Sequence, residues 1–301
     1  MATERFDQKE IQRLVVGVPT KTEGGLQGDI DVFNGVTVKT HHFNDIGDAE
    51  SFKEKLIASL RTWELEGRRG IWMQVPTEKA EMIPIATKLG FDFHHAQPGY
   101  AMLTKWLPKD EPNKLPHYAN HYVGVGGFVL NDKNDLLVIQ EKYLTSLKRP
   151  IWKIPGGMAD PGENIAETAI REVKEETGIE TEFVSLLCFR HMHQFRWGNS
   201  DFFFICLLKP LTIDVVIDRS EISEYKWIKL EEYIADPDTL EINRLIAQSF
   251  LSSRDHGCSM SPTFTPHYRK GFKDLVLYSV KPMTADFNKR EEPDTTFQPK
   301  L

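Results

Sequence analysis

The chain reads as a two-domain α/β protein, and three observations predict this. Its 301 residues exceed the roughly 100–200 residues of one ordinary domain. Short β-rich runs alternate with stretches of helical apolar spacing along most of its length. One break, Pro108-Lys-Asp-Glu-Pro-Asn-Lys-Leu-Pro116, carries three prolines, four charges and a single aliphatic residue. Proline blocks continuation of helix and strand ladders alike, so the break predicts a linker over 108–116. It separates a first domain, 1–107, from a second, 117–255, which is followed by a C-terminal extension over 256–301.

In the first domain, Gly35 to His42 opens with the β-rich run Val36-Thr37-Val38. Ala49 to Glu66 places Phe52, Leu56, Ile57, Leu60 and Trp63 at helical spacing. Ile71 to Val75 predicts a strand. Glu78 to Leu89 predicts a helix stopped by Gly90, with Pro84 as a defect inside it. Phe91–His95 and Tyr100–Trp106 predict two more strands. In the second domain, Tyr122 to Leu130 is an apolar run suited to a buried strand. Asn131-Asp-Lys-Asn-Asp135 is a turn signal, and Leu136–Gln140 is the returning strand. Ile151-Trp152-Lys153-Ile154 alternates into Pro155-Gly156-Gly157, and a helix follows. Strands are expected at Phe183–Phe189, at Phe202–Leu208 and around Tyr225, Trp227 and Ile228. Leu240 to Leu251 predicts a late amphipathic helix. From Ser252 onward the chain is polar and proline-containing, and only Leu275–Val280 is expected to be ordered.

Composition narrows the function. Lys plus Arg is 37 and Asp plus Glu is 44, a net charge of −7, which argues against general nucleic-acid binding while leaving room for a local basic pocket. No stretch approaches the ~20 apolar residues of a membrane span. The first ten residues, MATERFDQKE, lack the apolar core of a signal peptide. Cys188, Cys206 and Cys258 show no metal spacing and cannot all pair, which fits a reducing, cytoplasmic compartment.

The informative stretch runs from Gly156 to Gly178: a glycine loop feeding an acidic helix. Asn164 can cap that helix, with Glu167 reaching back in a capping box. Ile165, Ala169, Ile170 and Val173 form its buried stripe, and Gly178 supplies a left-handed stop. Glu172, Glu175 and Glu176 then stand at i, i+3 and i+4 on one side. Like charges so spaced destabilise an isolated helix by roughly 0.2–0.5 kcal/mol per pair. They also sit in the last turn, where the helix dipole prefers cations. A hard divalent cation such as Mg²⁺ would reverse both penalties. The alternative is a solvated glutamate face with Arg171 and Lys174 as counter-ions.

Gly157, five residues, Glu163, seven residues, Arg171-Glu172-Val173, one residue, Glu175-Glu176, one residue and Gly178-Ile179 together resemble the Nudix box at every specified position. The resemblance implies a Nudix α/β/α sandwich with a mixed sheet and Mg²⁺-dependent hydrolysis of a nucleoside diphosphate linked to a group X, with Mn²⁺ as a substitute. It implies Glu172, Glu175 and Glu176 as metal ligands, joined by the Gly156 carbonyl, with Glu163 and Arg171 orienting the ligand carboxylates. The general base varies between Nudix branches. Glu172 is one candidate, and Glu175 is grouped with the catalytic acids. Glu221, in the acidic turn before a tryptophan-bearing strand, fits a further ligand or base of some branches; the alternative is an ordinary acidic turn.

Flanking segments, among them Val123-Gly-Val-Gly126, Leu137-Val-Ile-Gln-Glu141, Phe189-Arg-His191 and Ser200-Asp-Phe-Phe203, are similar to the plant ADP-ribose/NADH pyrophosphatases. They are similar also to the animal Nudix protein encoded antisense to basic fibroblast growth factor. That group carries a small α/β pre-Nudix domain resembling an acetyltransferase core. Residues 1–107 show no glycine-rich loop opening a helix for a pyrophosphate, so a scaffold or homodimer contact is the expected role. Arg190, Phe195 and Trp197 are the candidates for binding X, since arginine pairs with phosphate and aromatics stack a base. His191 and His193 share a strand face with no third soft ligand beside them, and carry no metal expectation. Trp152 is expected in the core. Pro299-Lys300-Leu301 resembles a weak form of the Ser-Lys-Leu peroxisomal signal, with proline departing from the usual small residue. The expected substrates are ADP-ribose and NADH, giving AMP or NMN and a phosphorylated product. CoA or acyl-CoA is the alternative, although the arginine-bearing signature of CoA-specific members is missing before Gly156. A catalytically silent nucleotide-binding module is the other.

Overall fold

A computed structural model describes residues 18–20, 23–143, 151–265 and 275–282. The chain divides into two units, Met1–Ala119 and Asn120–Leu301.

The first unit builds one mixed sheet from β1 (Val18–Pro19), β2 (Asp29–Ile30), β3 (Val36–Val38), β4 (Gly70–Pro76), β5 (Asp92–Gln97) and β6 (Tyr100–Trp106), in the order β1-β2-β3-β4-β6-β5. The expected strands are present, and β1 and β2 are additions too short to leave a pattern. Helix α1 (Ala49–Leu65) starts where Asp48 accepts the Ser51 N–H at 2.9 Å. It buries Phe52, Leu56 and Trp63 against Val36, Val38, Ile71, Met73, Val75 and Leu103. Each such side chain contributes about 1.5–3 kcal/mol by leaving water. The single helix expected over 78–89 is instead a 3₁₀ segment, Thr77–Met82, followed by α2 (Ile83–Lys88). Pro84 lies in the first turn of α2, where its missing N–H costs nothing, so it opens a helix rather than flawing one. Glu111 closes back on this unit, accepting both Arg69 contacts at 2.8 and 2.9 Å.

The second unit comprises β7 (His121–Val129), β8 (Asp135–Glu141), β9 (Gly156–Met158), α3 (Ile165–Thr177), β10 (Thr181–Met192), β11 (Ser200–Pro210), β12 (Ile222–Lys229), α4 (Leu230–Ala235), α5 (Glu241–His256), β13 (Cys258–Thr265) and β14 (Leu275–Pro282). Its main sheet runs β14-β13-β10-β11-β7-β9, with β7 and β11 parallel and the other pairs antiparallel, and β8 pairs with β12 separately. One face packs Val125, Val129, Cys206 and Leu208 against Ala169 and Val173 of α3. The other packs Phe128, Ile205 and Leu207 against Tyr233 of α4 and Ile246, Ala247 and Phe250 of α5. This is the expected α/β/α sandwich. Strand β7 is nearly bare where the layers meet. A Cβ on Gly127 would stand 2.3 Å from Val173, and one on Gly126 would stand 2.7 Å from Ile154. The segment after Ser252 is more ordered than its composition suggests, because β13 and β14 form a hairpin that extends the sheet through the Leu186–Met260 pair. The tripeptide 299–301 and the first ten residues lie outside the described residues. No helix among the described residues is long and apolar enough to cross a membrane.

Candidate active site

The site begins at β9, whose glycines pair with β7 as Gly126–Gly156 and Val125–Gly157. After a turn, Asn164 caps α3 in a capping box, its N–H donating to the Glu167 carboxylate at 2.8 Å. Gly178 ends the helix at φ +72°, a left-handed conformation that costs other residues roughly 1–2 kcal/mol. These two ends set the phase of the helix and bring its glutamates onto the glycine strand. A Cβ on Gly157 would fall 2.5–2.7 Å from the Glu172 carboxyl group, so only glycine leaves that carboxylate its place.

Arg171 is the hub of the cluster. Its Nε donates to Glu163 Oε1 at 2.7 Å and Nη2 to Glu163 Oε2 at 2.9 Å, while Nη2 also reaches the Met158 carbonyl at 3.0 Å. Its Nη1 donates to Glu172 Oε1 and to Glu175 Oε2, both at 2.9 Å. Glu163 also accepts from the Asp160 N–H and the Thr168 hydroxyl, each at 3.0 Å. The guanidinium, with these donors, holds its carboxyl down at about 2. Glu176 is the opposite case. It is buried, at 6% exposure, with Oε2 accepting the Gly156 N–H at 2.6 Å. Burial pushes its carboxyl up to about 7, despite opposing pulls from Lys153 and the Gly156 N–H. Burial likewise raises Glu172, outweighing Arg171.

Arg171 thus joins Glu163 to Glu172 and Glu175, and Glu163 reaches those carboxylates only through it. Among the described residues no three acidic, histidine or cysteine side chains converge on one point. Arg171 engages one oxygen of Glu172 and one of Glu175, and Gly156 engages one of Glu176. A cation here would have the second oxygen of each as its donor. This all-oxygen set, with two of its carboxyls raised by burial, has the chemistry that suits Mg²⁺ or Mn²⁺. Of Gly156, it is the N–H that the structure engages.

The remaining candidates lie apart. Glu221 is exposed, immediately before β12, and its carbonyl accepts the Lys142 N–H at 2.7 Å. No hydrogen bond or ion pair among the described residues joins its side chain to the α3 cluster. Arg190 is committed to the buried Asp201 at 2.9 Å and lies 5.1 Å from the Phe203 ring centroid. It lines a cleft of about 250 Å³ with Lys153, Ile154, Phe203 and Asn243. Phe195 and Trp197 sit in the β10–β11 turn around Tyr122, at 6.0 and 6.3 Å between ring centroids, and Trp197 is 85% exposed. Tyr122 is three positions along β7 from Val125, the partner of Gly157, or about 10 Å of extended strand. Trp152 is half-buried against the core, with the Lys226 ammonium 4.2 Å over its ring. Sequence reasoning missed Tyr122 and the pairing of Lys153 with Glu141. Nor does the sequence join Asp201 to Arg190, because that pair depends on the register of β10 against β11, in which Arg190 faces Phe203.

An acidic helix clamped on a double-glycine strand, within an α/β/α sandwich, is the arrangement of a Nudix domain. The NUDIX domain family matches residues 120–249, and the Nudix hydrolase domain family matches residues 26–107. Nudix hydrolase 8 of Arabidopsis thaliana is 43% identical over 225 residues, covering 75% of this chain and 60% of that protein. The human nucleoside diphosphate-linked moiety X motif 6 is 37% identical over 257 residues, covering 84% of this chain and 76% of that protein. Among solved structures, a MutT protein from Methanosarcina mazei Go1 aligns over 46% of this chain and 99% of its own, at 21% identity and a TM-score of 0.39. The chain belongs to the Nudix hydrolase family, whose members act on nucleoside-diphosphate-linked substrates.

Proposed function

We propose that the chain hydrolyses the pyrophosphate of a nucleoside diphosphate linked to a second group, with Mg²⁺ bound by Glu172, Glu175 and Glu176 and with ADP-ribose and NADH as substrates. The observation that carries this reading is the buried Glu176 carboxylate on the Gly156 N–H, next to Glu172 in the space that Gly157 leaves. Two acids buried side by side raise each other's cost of ionisation, and a cation removes that cost. Mg²⁺, when bound, neutralises phosphate oxygens and lowers the pKa of a coordinated water.

The protein's own residues do the rest. Arg171 fixes Glu172 and Glu175 in one orientation, and Glu163 fixes Arg171. Glu172 and Glu221 are the two carboxylates we assign as candidates for the proton of the attacking water, and Glu172 takes that role only in place of its cation contact, since Arg171 engages its other oxygen. Tyr122, Phe195 and Trp197 offer rings on which a base can stack. Arg190 and Lys153 line the cleft, each already paired with a carboxylate, Asp201 and Glu141.

Incubation of the full chain with Mg²⁺ and ADP-ribose, NADH or CoA, with products identified by mass, tests this. AMP plus ribose 5-phosphate is expected from ADP-ribose. Release of 4′-phosphopantetheine from CoA, with ADP-ribose untouched, would move the assignment to CoA. No turnover of any nucleotide, with binding unchanged in Glu175→Gln and Glu176→Gln, would leave a binding module and remove the enzymatic reading.

A further inference from the structure

At one end of the second unit's sheet, three adjacent strands bring histidines together. β11 lies between β7 and β10. His191 of β10 faces Phe202 of β11, and His121 of β7 faces Ser200. Both imidazoles lie over the Phe202 ring, His121 at 4.9 Å and 15°, His191 at 4.3 Å and 21°. That shared aromatic floor turns the rings edge to edge, Nε2 to Nε2 at 3.0 Å. His121 Nδ1 stands 2.7 Å from Asn120 Oδ1. An amide oxygen only accepts, so this contact favours the tautomer with the proton on Nδ1, in which Nε2 presents its lone pair toward His191. His193 stands beside His191, 4.2 Å ring to ring, with its Nδ1 2.9 Å from Ser200 Oγ. All three histidines are exposed. His121 lies four positions before Val125 on β7, about 13 Å of extended strand from the Gly157 pairing.

We propose that His121 and His191 form a two-histidine chelate for a divalent first-row cation of the Cu²⁺ or Ni²⁺ kind, separate from the glutamate cluster. Metal–imidazole bonds run at about 2.0–2.1 Å. Two donors 3.0 Å apart at that bond length subtend roughly 94° at the metal, whereas a tetrahedral pair would stand about 3.3 Å apart. A near-right angle between nitrogen ligands is the cis angle of tetragonal sites, which suit Cu²⁺ and Ni²⁺. The cation replaces the single proton that the two Nε2 atoms now share. Asn120 acts as the outer partner that fixes the His121 tautomer, as carboxylates and carbonyls do behind metal-bound histidines. Because no third ligand converges with them among the described residues, water completes the coordination. The sequence hides this pair, since its members are 70 residues apart.

The test uses the tag-free full chain and Cu²⁺ itself. Electron paramagnetic resonance of a copper titration should show one tight equivalent with an axial signal split by two imidazole nitrogens. His191→Ala and His121→Ala should each weaken Cu²⁺ at least tenfold by isothermal titration, with circular dichroism unchanged, and Phe202→Leu should weaken it while keeping both ligands. His95→Ala, which breaks the His94–His95 pair of the first unit, should leave the equivalent intact. Binding that survives His191→Ala, that disappears with His95→Ala, or that is absent from the unaltered chain overturns the proposal. Copper is read directly, so the outcome does not depend on hydrolysis.

Discussion

Glu176→Gln in metal-free protein should stabilise the fold at alkaline pH. The carboxyl is raised from 4.5 to about 7 by burial, and each pKa unit is worth about 1.36 kcal/mol. A raised acid binds its proton more tightly in the folded state. Its stabilising share is complete below pH 4.5 and is lost as pH rises to about 7. The wild type should therefore lose on the order of 3 kcal/mol between pH 4.5 and 7.5 that the glutamine variant keeps. With only 6% exposure, solvent screening removes little of this. Glutamine retains an oxygen to accept the Gly156 N–H, so the comparison isolates the charge. Urea unfolding in EDTA at a series of pH values measures it. Adding Mg²⁺ at pH 7.5 should restore the wild type and leave the variant less changed. Parallel pH profiles for the two proteins, or a variant less stable than wild type at pH 7.5, would refute the account of Glu176 as a buried, cation-seeking acid.

Other outcomes follow from the same geometry. Glu176→Gln should lower turnover by at least ~10²-fold, since several kcal/mol of charge stabilisation are at stake; a rate close to wild type contradicts the ligand assignment. Gly157→Ala should leave the unfolding free energy within about 1 kcal/mol, because only a movable carboxylate meets the new methyl, while initial rates fall at least ~10-fold. Arg171→Ala frees three glutamates at once and should cost roughly 1–3 kcal/mol, read by thermal unfolding, with a larger Mg²⁺ requirement read from initial rates. Trp197→Ala should raise KM for ADP-ribose with kcat nearly unchanged, given a stacking contribution of about 1–3 kcal/mol per base.

Much of this molecule is legible in its sequence because the signals are local. Asn164, Glu167 and Gly178 lie within one helix and its ends, and the structure places each as the capping rules require. The apolar spacing of Phe52, Leu56 and Trp63 likewise names the buried face of α1. What escaped depends on strand pairing and on side-chain directions. Arg190 looks like a spare cation until β11 brings Asp201 beneath it. Arg171 reads as a counter-ion, yet its fork joins three carboxylates through side-chain directions that spacing alone does not give. The strand Cys258–Thr265 contains Pro262 and Ser261, and only pairing with β14 and with Met260's neighbour on β10 makes it regular.

Gly124, Gly126 and Gly127 leave β7 without a side chain at three positions where neighbouring side chains press on it. Lys153, from the cleft on the α5 side, already pulls the Glu176 carboxyl down against the effect of its burial, making it the stronger acid. The two sides of the sandwich thus share one electrical environment. Neutralising Lys153 would raise the Glu176 carboxyl further by charge alone, the direction in which Glu141, its ion-pair partner, already pulls.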